Sequence, residues 1–292
     1  RDQPRSRGLG DVYKRQVLVG NRPLLSTADS SDSKEAESTE TPKDPVKAHV
    51  LALLADKYGI SEEDFLSAEL EVVPAGRARD LGFDRSMVIG YGQDDRVCAY
   101  TSLVAQLALG DDVPARTAVC VLVDKEEIGS EGVTGMKSAA FDTFMEDLCQ
   151  SQNVPLRACY ERSFCLSADV TAAYDPNFAE VYEKRNDAQV NHGLGLCKYT
   201  GARGKGGSSD ADAETVAYVR RVMDEAGVVW QIGEMGKIDA GGGGTVAQYM
   251  ANRNITTIDA GVPVLSMHAP FETVGKLDCY MNYLGCKAVY LA

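Results

Sequence analysis

This sequence predicts an α/β fold: a central mixed, largely parallel sheet flanked by helices. Three observations carry the prediction. Apolar runs of strand length alternate with stretches of helical spacing along most of the chain. The run "AVCVLV" is apolar on both faces, as in strands that helices cover from both sides. The length, 292 residues, suffices for one large α/β domain or two modest ones.

Taken in order, residues 1–16, "RDQPRSRGLGDVYKRQ", show no helix or strand period and are basic in an acidic chain. They read as a disordered or foreign extension. Residues 28–45 hold almost nothing to bury and predict a solvated acidic loop. Residues 46–59 have apolar side chains at helical spacing and a glycine stop at Gly59. "FLSAELEVV" (65–73) alternates and predicts a strand, and "PAGRARDLGFD" a loop.

The alternating order then predicts a helix over 94–109, a strand over 117–123, a helix over 137–150 and strands over 163–169 and 194–199. A helix over 211–226, a strand over 228–232 and a helix over 244–253 follow. Strands over 256–259 and 263–267 and a last helix over 271–284 complete it.

Composition narrows the function. A net charge of −13 argues against nucleic acid or an anionic membrane surface as partner. No apolar run is long enough to cross a bilayer. The eight cysteines form no Cys-x-x-Cys pair, which suits buried thiols in a reducing cytoplasm.

In sheets of this kind ligands gather at the carboxyl ends of strands. Asp94 and Asp95 stand at a helix start, and Asp124, Glu126 and Glu127 follow the strand "TAVCVL". Asp169 ends "FCLSAD" and His268 ends "VPVLSMH". Singly, each has a plainer use: an Asp before a helix caps it, and glutamates in a turn are solvated. Together, carboxylates at one sheet edge repel one another and their pKa values rise. A divalent cation relieves that, and mixed His and carboxylate ligation suits zinc, with manganese or cobalt as alternatives. A carboxylate beside such a cation can act as general base, so the pattern predicts metal-assisted hydrolysis. Adjacent side chains on a regular strand point oppositely, so Glu126 and Glu127 reach one site only if the backbone bends at residues 125–127, with Gly129 easing the turn.

Four glycines, Gly241–Gly244, precede a predicted helix, where their use is either close backbone approach to the substrate or active site, or a loose loop. They lack the Lys-Ser/Thr of a phosphate-binding loop, which excludes a nucleotide site. Asp239 beside them meets either a substrate amine or solvent. Lys198, Arg203 and Lys205 meet an acidic substrate side chain or another subunit, or read as a solvated loop. His192 stands behind a metal ligand or is an ordinary turn residue, and His49 reads as structural.

Six ordered motifs resemble the aspartyl aminopeptidase and aminopeptidase I family of dinuclear zinc peptidases, from about Asn21 onward. They are "GYGQDDRVCAY", "DKEEIGS", "SADVTAAYDPNF", "KYTGARGKGGSSDA", "DAGGGGTVAQYMANRN" and "DAGVPVLSMHAPFETVGKLDCYM". The resemblance implies that Asp94 bridges two zinc ions, joined to Asp95 by a bond that is often cis. It implies Glu127 and His268 on one zinc, Asp169 on the other, and Glu126 as the general base that takes a proton from water and returns it to the leaving amine. Asp239, Gly242 and Gly243 are the expected substrate contacts.

The implied activity is hydrolysis of the N-terminal residue from peptides with a free N-terminus, with two zincs per subunit in a large homo-oligomer. Two departures stand out. No residue before Asp94 supplies the family's His-x-Asp segment, so the chain is expected to be N-terminally truncated. On that reading residues 17–75 are the remnant of an inserted dimerisation or lid domain and 76–292 the catalytic domain. Second, "ADVTAAYDPN" lacks the histidines of the aspartyl branch, which places the text nearer a bacterial branch and leaves acidic-substrate specificity unassigned. Other functions remain alternatives: a dinuclear hydrolase of N-acyl amino acids or small amides, and a non-catalytic assembly subunit.

Overall fold

The computed structural model describes residues 17–24, 42–237 and 239–292; the extension at 1–16 and most of the acidic loop lie outside the described residues. The chain divides into two compact units between Val72 and Val73.

In the first unit the predicted helix is α1, Pro45–Tyr58. Asp44 caps it by accepting from the Lys47 amide at 3.0 Å, Pro45 occupies the first turn, and Gly59 ends it at φ 68°. His49 accepts from Arg22 Nε at 3.1 Å. The strand predicted over 65–73 does not form. Glu63–Leu66 is a short 3-10 turn, and Leu70 and Val72 beyond it are exposed. Alternation is the pattern of a half-buried strand, but a strand also needs a ladder partner, and these residues have none among those described.

The second unit contains β1 (Arg79–Leu81), β2 (Met87–Gly90), α2 (Gln93–Leu107), α3 (Ala140–Ser151), α4 (Leu156–Glu161), β3 (Phe164–Ser167), β4 (Thr171–Ala172), β5 (Leu194–Cys197), β6 (Tyr199–Ala202), β7 (Gly206–Asp210), α5 (Ala213–Glu225), β8 (Trp230–Ile232), α6 (Ala247–Ala251), β9 (Thr256–Gly261), β10 (Pro263–Leu265), β11 (Glu272–Gly275) and α7 (Lys276–Leu291). The α/β class with mixed sheets holds. The strands form a five-stranded sheet in the order β1-β2-β11-β10-β4 and a four-stranded sheet in the order β3-β9-β5-β8. The parallel pairs are β10–β4, β3–β9 and β5–β8; the other pairs are antiparallel.

Both sheets bury aliphatic faces. Leu194, Leu196, Ile258 and Ala260 pack with Val219 and Met223 of α5, and Val262, Val264 and Val274 close around Cys98 of α2. Helices α2 and α7 are tied by a buried bond from Asn282 Nδ2 to Thr101 Oγ1 at 2.6 Å.

Four elements of this unit differ from expectation. Residues 117–123 join no ladder. Val119 and Val123 pack onto a cluster around Met145 and Met250, while Val121 and Leu122 are exposed. The apolar run therefore buries one face, not two. The helix expected over 271–284 begins as β11, which pairs on both sides, and turns helical only at Lys276. The helix expected over 244–253 starts at Ala247, and the loop over 74–84 contains β1.

Candidate metal centre

Strand β2 ends at Gly90 and the chain turns through Gly92, φ 71°, into α2. Asp94 and Asp95 sit in the first turn with non-helical dihedrals and are joined by a cis peptide bond. Neither caps the helix; Gly92 holds the cap position without a side-chain bond. Strand β3 ends at Ser167, just before Asp169, and β10 ends at Leu265, just before His268. His268 has φ 63°, unusual for a side chain with a Cβ, inside a turn closed by the Ala269 amide on the Ser266 carbonyl at 2.9 Å.

The bend required at the paired glutamates is present. Lys125 is left-handed at φ 65°, Glu126–Ile128 is one 3-10 turn, and Gly129 returns at φ 83°. The Ser130 amide bonds the Lys125 carbonyl at 2.7 Å, closing the loop.

These elements bring two groups of donors together. Asp94, Glu127 and His268 offer atoms within 4.8 Å of one another, as do Asp94, Asp95 and Asp169. His268 Nε2 lies 3.0 Å from Asp94 Oδ2 and 3.1 Å from Glu127 Oε1. The His268 and Glu127 side chains are 61% and 59% exposed and that of Asp94 only 12%. Glu126, not Glu127, is therefore the more buried of the pair. Asp124 turns away to Lys125 and Thr134.

Burial, then the Glu127 and Asp94 charges, pushes the Glu126 carboxyl up to about 7. Burial, then Glu127, raises Asp94 to about 6, against a lowering pull from His268. Asp95 rises to about 8, mainly by burial, and Asp169 is held well above the carboxylate range by burial and then by Asp95. Asp95 Oδ1 is buried and has no hydrogen-bond partner among the described residues. A buried, partnerless oxygen beside two further carboxylates is what a hard cation would satisfy. The imidazole and two carboxylates of the other group fit zinc.

The remaining candidates belong to neither group. Asp239 is exposed at φ 62°, with its carboxylate facing Gly204. The glycine run lies along β6: Gly201 donates to the Gly243 carbonyl and Arg203 to that of Gly241, each at 2.8 Å. A Cβ on Gly242, at φ 90°, would stand 2.4 Å from the Gly201 carbonyl oxygen, so the approach that demands glycine is to the β6–β7 hairpin. Lys198 pairs with Asp210, and His192 sits in a turn whose flanking amides are held by Asp278.

Two carboxylates escaped the sequence reading. Glu272, 2% exposed, accepts from the amides of Asp94 at 3.0 Å and His268 at 2.7 Å. Asp259, 4% exposed, accepts from Thr245 Oγ1 at 3.0 Å, and its charge contributes to raising Glu126 and Asp169. The strand-end rule itself points to Asp259, which closes the predicted strand 256–259.

A family model described as aminopeptidase I zinc metalloprotease (M18) matches residues 14–290. The probable M18 family aminopeptidase 1 of Clostridium acetobutylicum is 48% identical over 276 residues, covering 93% of this chain and 56% of that protein. Its counterpart from Thermotoga maritima is 43% identical over 278 residues, covering 94% and 58%. The crystal structure of aminopeptidase I from Clostridium acetobutylicum matches with a TM-score of 0.82 at 47% identity, over 94% of this chain and 57% of that one. The M18 aminopeptidase structure from Thermotoga maritima matches at 0.81 and 40% identity, over 91% and 63%. The chain thus spans little more than half the length of the curated relatives it matches. With nearly its whole length covered by these matches, the chain belongs to the aminopeptidase I zinc metalloprotease family, on its bacterial branch.

Proposed function

We propose that the protein is a zinc-dependent aminopeptidase that removes the N-terminal residue from peptides with a free N-terminus. The observation that supports it most directly is the convergence of Asp94, Glu127 and His268 within 4.8 Å. Beside it, Glu126 carries a carboxyl raised to about 7. Asp94, Glu127 and His268 would hold one zinc, and Asp94 with Asp169 a second; manganese or cobalt would suit the same donors. A metal bound there would supply Lewis-acid polarisation of the scissile carbonyl and a more acidic water.

Glu126 is the residue assigned the proton. A carboxyl near neutrality can accept one at working pH and give it up again to the leaving amine nitrogen. Asp94, only 12% exposed, is held from its backbone side and presents its carboxylate to both groups. Asp239, Gly242 and Gly243 remain proposed substrate contacts on the side of the β6–β7 hairpin.

The proposal extends to the whole protein. Residues 17–75 are assigned to an inserted domain and 76–292 to the catalytic one. No helix among the described residues is long and apolar enough to cross a membrane. All eight cysteines are free thiols, which supports a cytoplasmic setting. Assembly into a large homo-oligomer is also proposed; a yeast structure 24% identical is described as a dodecamer, a likeness that carries the fold alone.

The test is hydrolysis of free and N-blocked peptides by zinc-loaded and chelator-stripped protein. Release of the first residue from free peptides only, abolished by the chelator, is expected. Activity on N-blocked substrates alone would sink the aminopeptidase reading.

A further inference from the structure

Sheet order puts β11 between the two strands that deliver metal-ligand candidates. Strand β2 runs toward Asp94, β10 runs toward His268, and β11 is antiparallel to both. The first residue of β11 therefore lies at the end where the other two finish, with Glu272 opposite Gly90 and Thr273 opposite Leu265. Glu272 is 2% exposed and spends one oxygen on each neighbour: Oε2 accepts from the Asp94 amide at 3.0 Å and Oε1 from the His268 amide at 2.7 Å. Neither amide sits in a regular ladder. Asp94 is in the non-helical start of α2, and His268 is in a turn at φ 63°.

We propose that Glu272 is a positioning residue: its carboxylate clamps the backbones of Asp94 and His268 at a fixed separation and so preorganises the metal site. Its oxygens face amides, so it is not itself a ligand. Charge-assisted bonds from backbone amides to a carboxylate are about twice as strong as neutral ones, and residues behind metal ligands set ligand geometry and affinity. Here the clamp grips the backbones of two ligands 174 positions apart in the chain, an arrangement that local sequence could not hold. The inference rests on the metal site proposed above.

The molecule supplies its own control. Asp278, 0% exposed, accepts from the Asn191 amide at 2.6 Å and the Gly193 amide at 2.7 Å, the same chemistry with no ligand candidate on the amides it holds. Zinc affinity is measured by chelator competition in the parent, in Glu272→Gln and in Asp278→Asn, and each is then loaded with cobalt for its absorption spectrum. Glutamine presents an amide group to one of the two backbone donors and releases it. Glu272→Gln is expected to bind zinc ~10-fold or more weakly and to shift the cobalt spectrum. Asp278→Asn is expected to lower the melting temperature while both readouts stay at parent values. Parent-like zinc affinity and cobalt spectrum in folded Glu272→Gln would overturn the proposal.

If that variant does not fold, Glu272→Asp keeps both oxygens but withdraws them, and parent-like zinc affinity there has the same consequence. A measurement on the parent needs no variant. In metal-free protein the Asp94 and His268 amides should exchange with solvent more slowly than exposed amides of their own loops, and exchange at the loop rate overturns the clamp. A parent that binds no zinc at all would instead overturn the metal reading, while the exchange experiment would still report on Glu272.

Discussion

Asp94 belongs to two groups of side chains that differ in most physical respects. Toward Glu127 and His268 it meets side chains more than half exposed, one of them an imidazole that needs no charge to act as a ligand. Toward Asp95 and Asp169 it meets only carboxylates, each half-buried, with one oxygen of Asp95 buried and without a partner among the described residues. Water can share the electrostatic load of the first group. In the second, the load falls on protons or on a cation, which is why Asp95 and Asp169 are pushed so far up. On the proposed reading the open group would exchange a water and a substrate, and the closed one would hold a cation.

The residue at the junction should show the largest effect. Glu126 feels both Glu127 and Asp94. Glu126→Gln is expected to lower kcat by ~10²–10⁴-fold, the range for losing a general base, while zinc content stays at parent level. Loss of zinc in the same variant would make Glu126 a ligand instead and merge the two groups into one.

Next in size is the response to losing a ligand on either side. His268→Ala is expected to abolish the tighter of two zinc-binding events, and Asp169→Asn only the weaker, each by at least ~10-fold in affinity. Isothermal titration of zinc into stripped protein separates them. Equal losses from both variants would mean that the two groups bind as one unit.

How much of this was legible follows the range of the interactions involved. Asp94, at a helix start, and Glu126, Glu127, Asp169 and His268, each just after an apolar run, could be picked out as candidates from local signals, and the family resemblance supplied their expected roles. The bend at Lys125 could also be read, since it follows from two adjacent glutamates needing one destination. Glu272 could not. Its segment has helix-like apolar spacing, and only the pairing of β11 with β2 and β10, far apart in sequence, makes it a strand end beside the site. The apolar run at 117–123 misled for the same reason, because hydrophobicity signals burial but a strand needs a neighbour.

A third effect concerns pH. Asp94, Glu126 and Asp95 have folded values of about 6, 7 and 8, above starting values of 3.8, 4.5 and 3.8. A raised carboxyl binds its proton more tightly in the folded state. Its stabilising contribution is present below the unfolded pKa and is lost as pH rises through the folded one. Stripped protein should therefore lose melting temperature between about pH 4 and 8, by on the order of 10 °C or more. Zinc should flatten or reverse that slope, because a cation favours the ionised forms. Parallel slopes with and without zinc would show that the metal sits away from these carboxylates.

The smallest expected effect tests how far the closed group extends. Asp259 is 4% exposed and is raised by burial to about 6. Thr245 holds one of its oxygens, and the other is buried without a partner among the described residues. Asparagine keeps an acceptor for Thr245 and removes the charge. In stripped protein at pH 8, Asp259→Asn is expected to gain on the order of 1–3 kcal/mol in denaturant melts, at roughly 1.4 kcal/mol per unit of pKa. The gain should fade as pH falls below about 4, where the unfolded-state carboxyl, with its ordinary value of 3.8, also becomes protonated. A loss at pH 8 would mean that the charge on Asp259 is itself compensated inside the fold. Asp259 would then join Asp95 and Asp169 in one acidic field that bears on Glu126, and the boundary between the open and closed groups would move to β9, which carries Asp259.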